Sequence, residues 1–250
     1  MNNSLYIKIV STSKAIAVLI DPEKADNGEN LLELLKKAEF AGVDYLFIGG
    51  STVSRNEFTL TVDFIKQHSK LPLIIFPGSS QQISNNADGL LYLSLLSGRN
   101  ADFLIGHHVQ SASELFEMDI EIIPTAYLLI DGGTRSSVAY VSQTTPIPRD
   151  KTSIVRQTAI AGKFQGKKLL YLDAGSGAKY SVPTEMISEL NDLGLPIIIG
   201  GGIRSIDQIQ AAHAAGASIV VIGNKLEEES DFLLDIYSYV KKRSTVKYDF

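Results

Sequence analysis

A 250-residue chain with no cysteine and a formal net charge of −5 excludes a disulfide scaffold, a thiolate metal site and a cysteine nucleophile, and fits a reducing compartment. The acidic balance, with no basic stripe before the short Lys241-Lys242-Arg243 cluster, argues against a nucleic-acid partner. No apolar run approaches the roughly 20 residues of a membrane span, and Met1-Asn2-Asn3-Ser4 has neither the charged nor the apolar region of a signal peptide, so a soluble, cytoplasmic protein is expected.

After a short amphipathic opening, Ala15 to Ile20 is a buried-strand run that stops at Asp21-Pro22-Glu23-Lys24, where proline cannot continue a ladder. Glu29 to Ala41 places Leu31, Leu32, Leu34, Leu35 and Ala38 at helical spacing and ends at Gly42. Tyr45 to Ile48 reads as the second strand, followed by Gly49-Gly50-Ser51-Thr52. A helix from Arg55 to Gln67 leads to a third strand, Pro72 to Phe76. Gln81 to Ala87 is polar with two asparagines, which predicts a short helix. The fourth strand is Gly89 to Leu93. Asn100 to Glu117 is partly helical and carries His107 and His108, and Glu121 to Leu129 is the fifth strand. Asp131 to Arg149 is rich in Gly, Ser, Thr and Pro without periodicity, the pattern of a functional or mobile loop and here a candidate lid. A helix over Lys151 to Phe164 precedes the last three strands, and Ser230 to Lys241 closes the chain. Eight strand-and-helix units with no break in composition predict one (β/α)8 TIM-type barrel spanning residues 1–250.

The last three strands have a shared property. Lys168 to Asp173 runs into Ala174-Gly175-Ser176-Gly177, Pro196 to Ile199 into Gly200-Gly201-Gly202-Ile203-Arg204, and Ala217 to Ile222 into Gly223-Asn224. Glycines at three adjacent carboxyl ends leave backbone N–H groups free to converge on an anion, so these loops predict a phosphate cup. One such loop alone reads sooner as a tight turn that needs positive φ; three at one sheet end are harder to dismiss. Gly175-Ser176-Gly177-Ala178-Lys179 lacks the spacing of a P-loop. Arg204 is left without a role, since an Arg there commonly pairs with an acidic neighbour.

Polar residues at strand ends in such a barrel are candidates for chemistry. Tyr171 and Asp173 alternate onto one face of the sixth strand, so a phenol and a carboxylate can reach one ligand beside the cup. Asp21 and Ser51, from neighbouring strands, form a thin donor set that suits Mg2+, which keeps several waters and is completed by substrate phosphates. Each also has a plain reading: Asp21 as a turn residue, Ser51 and Asp173 as caps. His107 and His108 diverge by roughly 100° on a helix and read as structural.

Leu19-Ile20-Asp21-Pro22-Glu23-Lys24, Gly49-Gly50-Ser51, Tyr171 through Ala178, Gly200 through Arg204 and Gly223-Asn224 together resemble the geranylgeranylglyceryl phosphate synthase family. Ser97-Gly98-Arg99-Asn100 and Pro146-Ile147-Pro148 share the resemblance, which runs through the whole barrel. It implies a prenyltransferase that joins sn-glycerol 1-phosphate to a polyprenyl diphosphate, giving an ether-lipid precursor. The glycerol phosphate would be bound by Tyr171, Leu172, Asp173, Ala174, Gly175, Ser176, Gly177, Gly201, Gly202, Gly223 and Asn224. Asp173 and Tyr171 would act in catalysis, and Mg2+ would be held at Asp21 and Ser51. The Ala-Gly-Ser-Gly-Ala form after the sixth strand is similar to the family's larger, oligomeric subgroup and implies a homo-oligomer. One departure stands out: the family usually carries Glu where this chain has Asp173, which stops roughly 1.5 Å short of the family's carboxylate. Two other readings stay open, a barrel that only binds a phosphorylated metabolite and a sugar-phosphate isomerase or lyase with Asp21 and Asp173 as its acid and base. The helix expected before the fourth strand and the Asp131 to Arg149 loop are expected walls of an apolar groove.

Overall fold

The computed structural model describes residues 4–25 and 28–245; Met1-Asn2-Asn3, read above for a signal peptide, lie outside them. Eight parallel strands close on themselves in sequence order. They are β1 (Ala15–Ile20), β2 (Tyr45–Ile48), β3 (Leu73–Ile75), β4 (Gly89–Leu95), β5 (Glu121–Leu129), β6 (Leu169–Asp173), β7 (Ile197–Gly200) and β8 (Ile219–Ile222). Around them run α1 (Leu5–Ser11), α2 (Glu29–Phe40), α3 (Arg55–His68), α4 (His107–Phe116), α5 (Ser137–Val141), α6 (Thr152–Phe164), α7 (Thr184–Ser188), α8 (Ile206–Ala215), α9 (Asn224–Glu228) and α10 (Phe232–Thr245). The (β/α)8 TIM-type architecture expected from the repeating units is the one found.

Period-two alternation sorts every strand into two layers. Inside the barrel, Ala15 and Ala17 of β1 leave room for Tyr45, Phe47, Tyr127 and Tyr171, while Ile16, Val18, Leu46, Ile48, Leu170 and Leu172 pack outward against the helices. Small residues on one strand opposite rings on others fill the barrel without voids, so the interior is a packed core and not a pore. The amino-terminal end is stopped by α1, whose Leu5 and Ile9 join the inner layer. Glu121 holds that helix in place by accepting from the Ser4 hydroxyl at 2.6 Å and from the amides of Leu5 and Tyr6. The approach is close enough that a β-carbon on Gly89 would stand 2.6 Å from Leu5 Cδ2.

Three expectations differ from the structure. Gln81 to Ala87 forms turns and no helix. Its polar side chains bind backbone locally or across the chain: Asn86 N–H donates to Ser84 Oγ at 3.2 Å, and Asn85 Oδ1 accepts from Asp119 N–H at 2.8 Å, which competes with helical hydrogen bonding. Residues 131–149 contain α5, started by Ser136 as its cap, whose Oγ accepts from Ala139 N–H. The segment is also fastened at its base by a β-bridge between Ile130 and Ile147 and by Asn100 Nδ2 donating to Ser142 O at 3.0 Å. β4 runs two residues past its expected end, to Leu95. There the Ser94 hydroxyl accepts from Lys167 Nζ at 2.6 Å.

Candidate active site

One cleft opens at the carboxyl ends of the strands, and it collects residues from nearly every one of them. Asp173 sits at its centre, only 8 % exposed. β6 keeps unbroken register through it, pairing Asp173 with Leu129 on β5 and Gly200 on β7. Both carboxylate oxygens are engaged: Oδ2 accepts from the Tyr127 hydroxyl at 2.6 Å and Oδ1 from the Gly175 amide at 2.8 Å. Burial pushes the Asp173 carboxyl above the usual carboxylate range, and these two donors oppose that shift. Burial and the neighbouring carboxylate push the phenols of Tyr127 and Tyr171 well up. Tyr171 lines the cleft with Asp173 as alternation predicts, its ring stacked on Phe76 at 4.8 Å.

Beside them the β6, β7 and β8 loops meet. Ser176 Oγ and Gly177 N–H both donate to Asn224 Oδ1 at 3.1 Å. Two donors converging on one oxygen is the arrangement that an anion's oxygen requires. Gly201 and Gly202 take φ of 79° and 69°, a region costly for residues with a β-carbon. A β-carbon on Gly201 would stand 2.6 Å from Gly175 N, and one on Gly202 would stand 2.7 Å from the Tyr180 carbonyl. Ser176, Gly177, Gly201, Gly202, Gly223 and Asn224 all line the cleft. Three residues expected at the ligand do not. Leu172 and Ala174 are buried in the layer between sheet and helices, because alternation turns them away from the mouth. The Gly175 amide is already committed to Asp173. Arg204 reaches the rim, where it pairs with Glu228 at 3.8 Å.

Asp21 and Ser51 line the same cleft after β1 and β2, with β1 the barrel neighbour of β8. Asp21 Oδ1 accepts from Glu23 N–H at 3.2 Å, so the turn reading holds as well as placing the carboxylate in the cleft. A β-carbon on Gly50 would lie 2.7 Å from Asp21 Oδ1, which brings the β1 and β2 loops together. Gln82 ties in the β3 loop, donating to Gly50 O at 2.7 Å and accepting from Gly78 N–H at 2.9 Å. Burial holds the Asp21 carboxyl above its ordinary value. Lys24 stands 4.0 Å away and pairs more closely with Glu227, at 2.7 Å. Among the described residues no three His, Cys, Asp or Glu side chains cluster to hold a metal. A half-buried carboxylate and a serine hydroxyl from neighbouring strand ends in one cleft nevertheless fit a hard cation that takes its other ligands from water and phosphates.

From this polar centre the cleft continues as an apolar arm walled by Ile83, Leu93, Phe103 and Leu115, with Val138 and Val141 of α5. Of the walls expected from sequence, the 131–149 segment lines the cleft through α5, Ile83 in turns stands where a helix was expected, and α4 lines it as well. His107 and His108 lie along it. His108 is structural, its Nε2 2.7 Å from Leu93 O and its ring stacked on Tyr92 at 3.9 Å; burial pushes its pKa down. Two residues escaped the sequence reading. Gln82 left no signal. Tyr127 left one: it lies two positions before the end of a predicted strand, as Tyr171 does, and is the register partner of Tyr171.

Comparison with known proteins bears on this site. Residues 9–241 match the PcrB family. The geranylgeranylglyceryl phosphate synthase of Zunongwangia profunda is 48 % identical over 217 residues, 86 % of this chain and 91 % of the relative. That of Chitinophaga pinensis is 42 % identical over 251 aligned positions, 98 % of this chain and 99 % of the relative. The crystal structure of (S)-3-O-geranylgeranylglyceryl phosphate synthase from Thermoplasma acidophilum, in complex with sn-glycerol-1-phosphate, superposes with a TM-score of 0.87 at 33 % identity, covering 94 % of this chain and 95 % of that one.

Proposed function

The chain belongs to the PcrB family, and on that premise we propose that it joins sn-glycerol 1-phosphate to geranylgeranyl diphosphate, releasing diphosphate and giving geranylgeranylglyceryl phosphate. The observation that carries the reading is the single cleft in which a glycine-built anion cup, a buried carboxylate and an apolar arm are continuous. A phosphorylated nucleophile and a prenyl donor need those three parts in that order. The glycerol hydroxyl oxygen forms the new C–O bond at the allylic carbon as the bond to the diphosphate breaks. Asp173 takes the hydroxyl proton and Tyr171 orients the glycerol. The cup holds the phosphate at Ser176, Gly177, Gly201, Gly202, Gly223 and Asn224, and the prenyl tail lies in the arm. Asp21 and Ser51 would hold Mg2+, whose charge offsets that of the leaving diphosphate. The same reading makes the protein a homo-oligomer, for which Val109 and Phe116 on α4, 69 % and 87 % exposed, supply an apolar face; light scattering measures it.

Incubation with glycerol 1-phosphate, geranylgeranyl diphosphate and Mg2+, followed by lipid extraction, tests the reaction. A prenylated glycerol phosphate is expected; its absence from a protein that still binds glycerol phosphate would leave only a binding barrel. The cup has its own test at Gly177, which lines the cleft at φ 71° and where a β-carbon would meet nothing within 4 Å. Asp tolerates that backbone region better than most residues. Gly177→Asp should weaken glycerol phosphate binding roughly tenfold or more by like-charge repulsion, and the neutral Gly177→Asn should weaken it less. Calorimetric titration reads both, and equal affinities in the two variants would move the phosphate elsewhere.

A further inference from the structure

We infer that Tyr127 is a positioning residue for the reacting carboxylate, holding Asp173 in its ionised, cleft-facing orientation through the 2.6 Å hydrogen bond to Oδ2. The inference rests on the reading of Asp173 as proton acceptor and adds a residue from a different strand to that role. Its ground is geometric. The Gly175 amide holds Oδ1 at 2.8 Å, and an amide N–H can only donate. Tyr127 holds the other oxygen, and its phenol, kept protonated by burial and by the adjacent carboxylate, also donates. A carboxylate gripped at both oxygens by two fixed donors cannot rotate, and its remaining lone pairs are left for a proton from the ligand.

The grip is rigid because the Tyr127 ring cannot swing away. It meets Phe76 edge-on at 5.7 Å and 76°, and Tyr171 edge-on at 5.5 Å and 75°, while Phe76 and Tyr171 stack on each other. Rings from β5, β6 and the residue that follows β3 thus lock one another in the barrel centre. The titratable groups that face Asp173 are the two phenols, Tyr127 from β5 and Tyr171 from its own strand; β7 presents the backbone of Gly200 and Gly201. Burial disfavours the charged acid, and Tyr127 is the first of the groups that counter burial. Without it the carboxyl should gain its proton at higher pH, so that a smaller fraction of molecules holds a competent base at neutral pH.

The test is Tyr127→Phe, which keeps the ring and removes the donor. Two quantities are followed: the pH profile of single-turnover transfer, and the midpoint of the Asp173 carboxyl carbon in an NMR titration of unliganded protein, assigned with Asp173→Asn. Both the acid limb and the midpoint should move up by roughly one pH unit, the scale of one hydrogen bond to a charged group. The rate should recover as pH rises, and glycerol phosphate affinity should stay within about twofold. A merely structural tyrosine would lower the rate equally at all pH, and an unmoved midpoint overturns the proposal. Incorporating 3-fluorotyrosine keeps the packing and makes the phenol a stronger donor. The midpoint should then move down, and this decides the matter should Tyr127→Phe not fold. A midpoint that moves in a protein without transferase activity would sustain the pairing and overturn the function proposed above, so the two failures are distinguishable.

Discussion

Replacing Asp173 by asparagine should leave glycerol 1-phosphate binding within a few-fold and slow single-turnover prenyl transfer by roughly a hundredfold or more, the span for removal of an acid–base group. The side chain is 8 % exposed and burial already raises its carboxyl, so removing the charge also removes a desolvation cost. The sign follows from proton linkage. A folded-state value above the unfolded one means that the native protein binds the proton more tightly, and stability from this group falls as pH rises through the raised value. The thermal midpoint of Asp173→Asn at neutral pH should therefore not drop, which separates lost chemistry from lost fold. Asp173→Glu should keep the activity, because the longer acid extends toward the cup, and its rate should respond less than that of the wild type to Tyr127→Phe. Saturating both substrates in single-turnover assays keeps binding out of the comparison. A wild-type rate in Asp173→Asn would remove this group from the mechanism.

Asp21→Asn should abolish most of the turnover, with a loss again of the order of a hundredfold or more if the carboxylate holds the cation that meets the diphosphate charge. Asparagine keeps the size and the oxygen that accepts from Glu23 N–H, so the turn survives. Lys24 retains its closer partner, Glu227, at 2.7 Å. The melting temperature should move by no more than a degree or two, the scale of a surface substitution. Raising Mg2+ should restore part of the rate, since a weakened site fills by mass action. An unfolded variant would show that the side chain serves the turn, and one with full activity would place the cation elsewhere.

The barrel was legible because each strand is a short run of branched apolar residues ended by a residue that cannot continue it. β1, β2 and β5 take the expected bounds, from Ala15 to Ile20, Tyr45 to Ile48 and Glu121 to Leu129. The segment from Gln81 to Ala87 was not, since composition does not tell a polar helix from turns whose Ser84 and Asn85 bind backbone elsewhere. At the site, Asp173, Tyr171, Asp21 and Ser51 were readable from their places at strand ends. Leu172, Ala174 and Gly175 were named with the rest of the segment from Tyr171 to Gly177, and alternation already set the Leu172 side chain on the other face from Tyr171. Tyr127 left the signal of its place two positions before a strand end, but its pairing with Asp173 needed the β5–β6 register. Gln82 needed three loops to meet.

The stopper that α1 forms, with Leu5 and Ile9 seated in the inner layer and Glu121 fastening the helix, closes the far end of a barrel already filled with side chains, so the cleft has no exit through the barrel. Everything that enters must leave by the same rim. The proposed product would occupy the whole cleft, its phosphate in the cup and its tail along the arm, so neither substrate can return until both ends have been lifted out. Diphosphate, small and hydrated, escapes readily by that rim, but a twenty-carbon tail gains nothing by stepping into water. Turnover would then be governed by what waits outside: a bilayer or micelle brought to the rim would draw the lipid off, and in plain buffer the enzyme would idle with its own product in place.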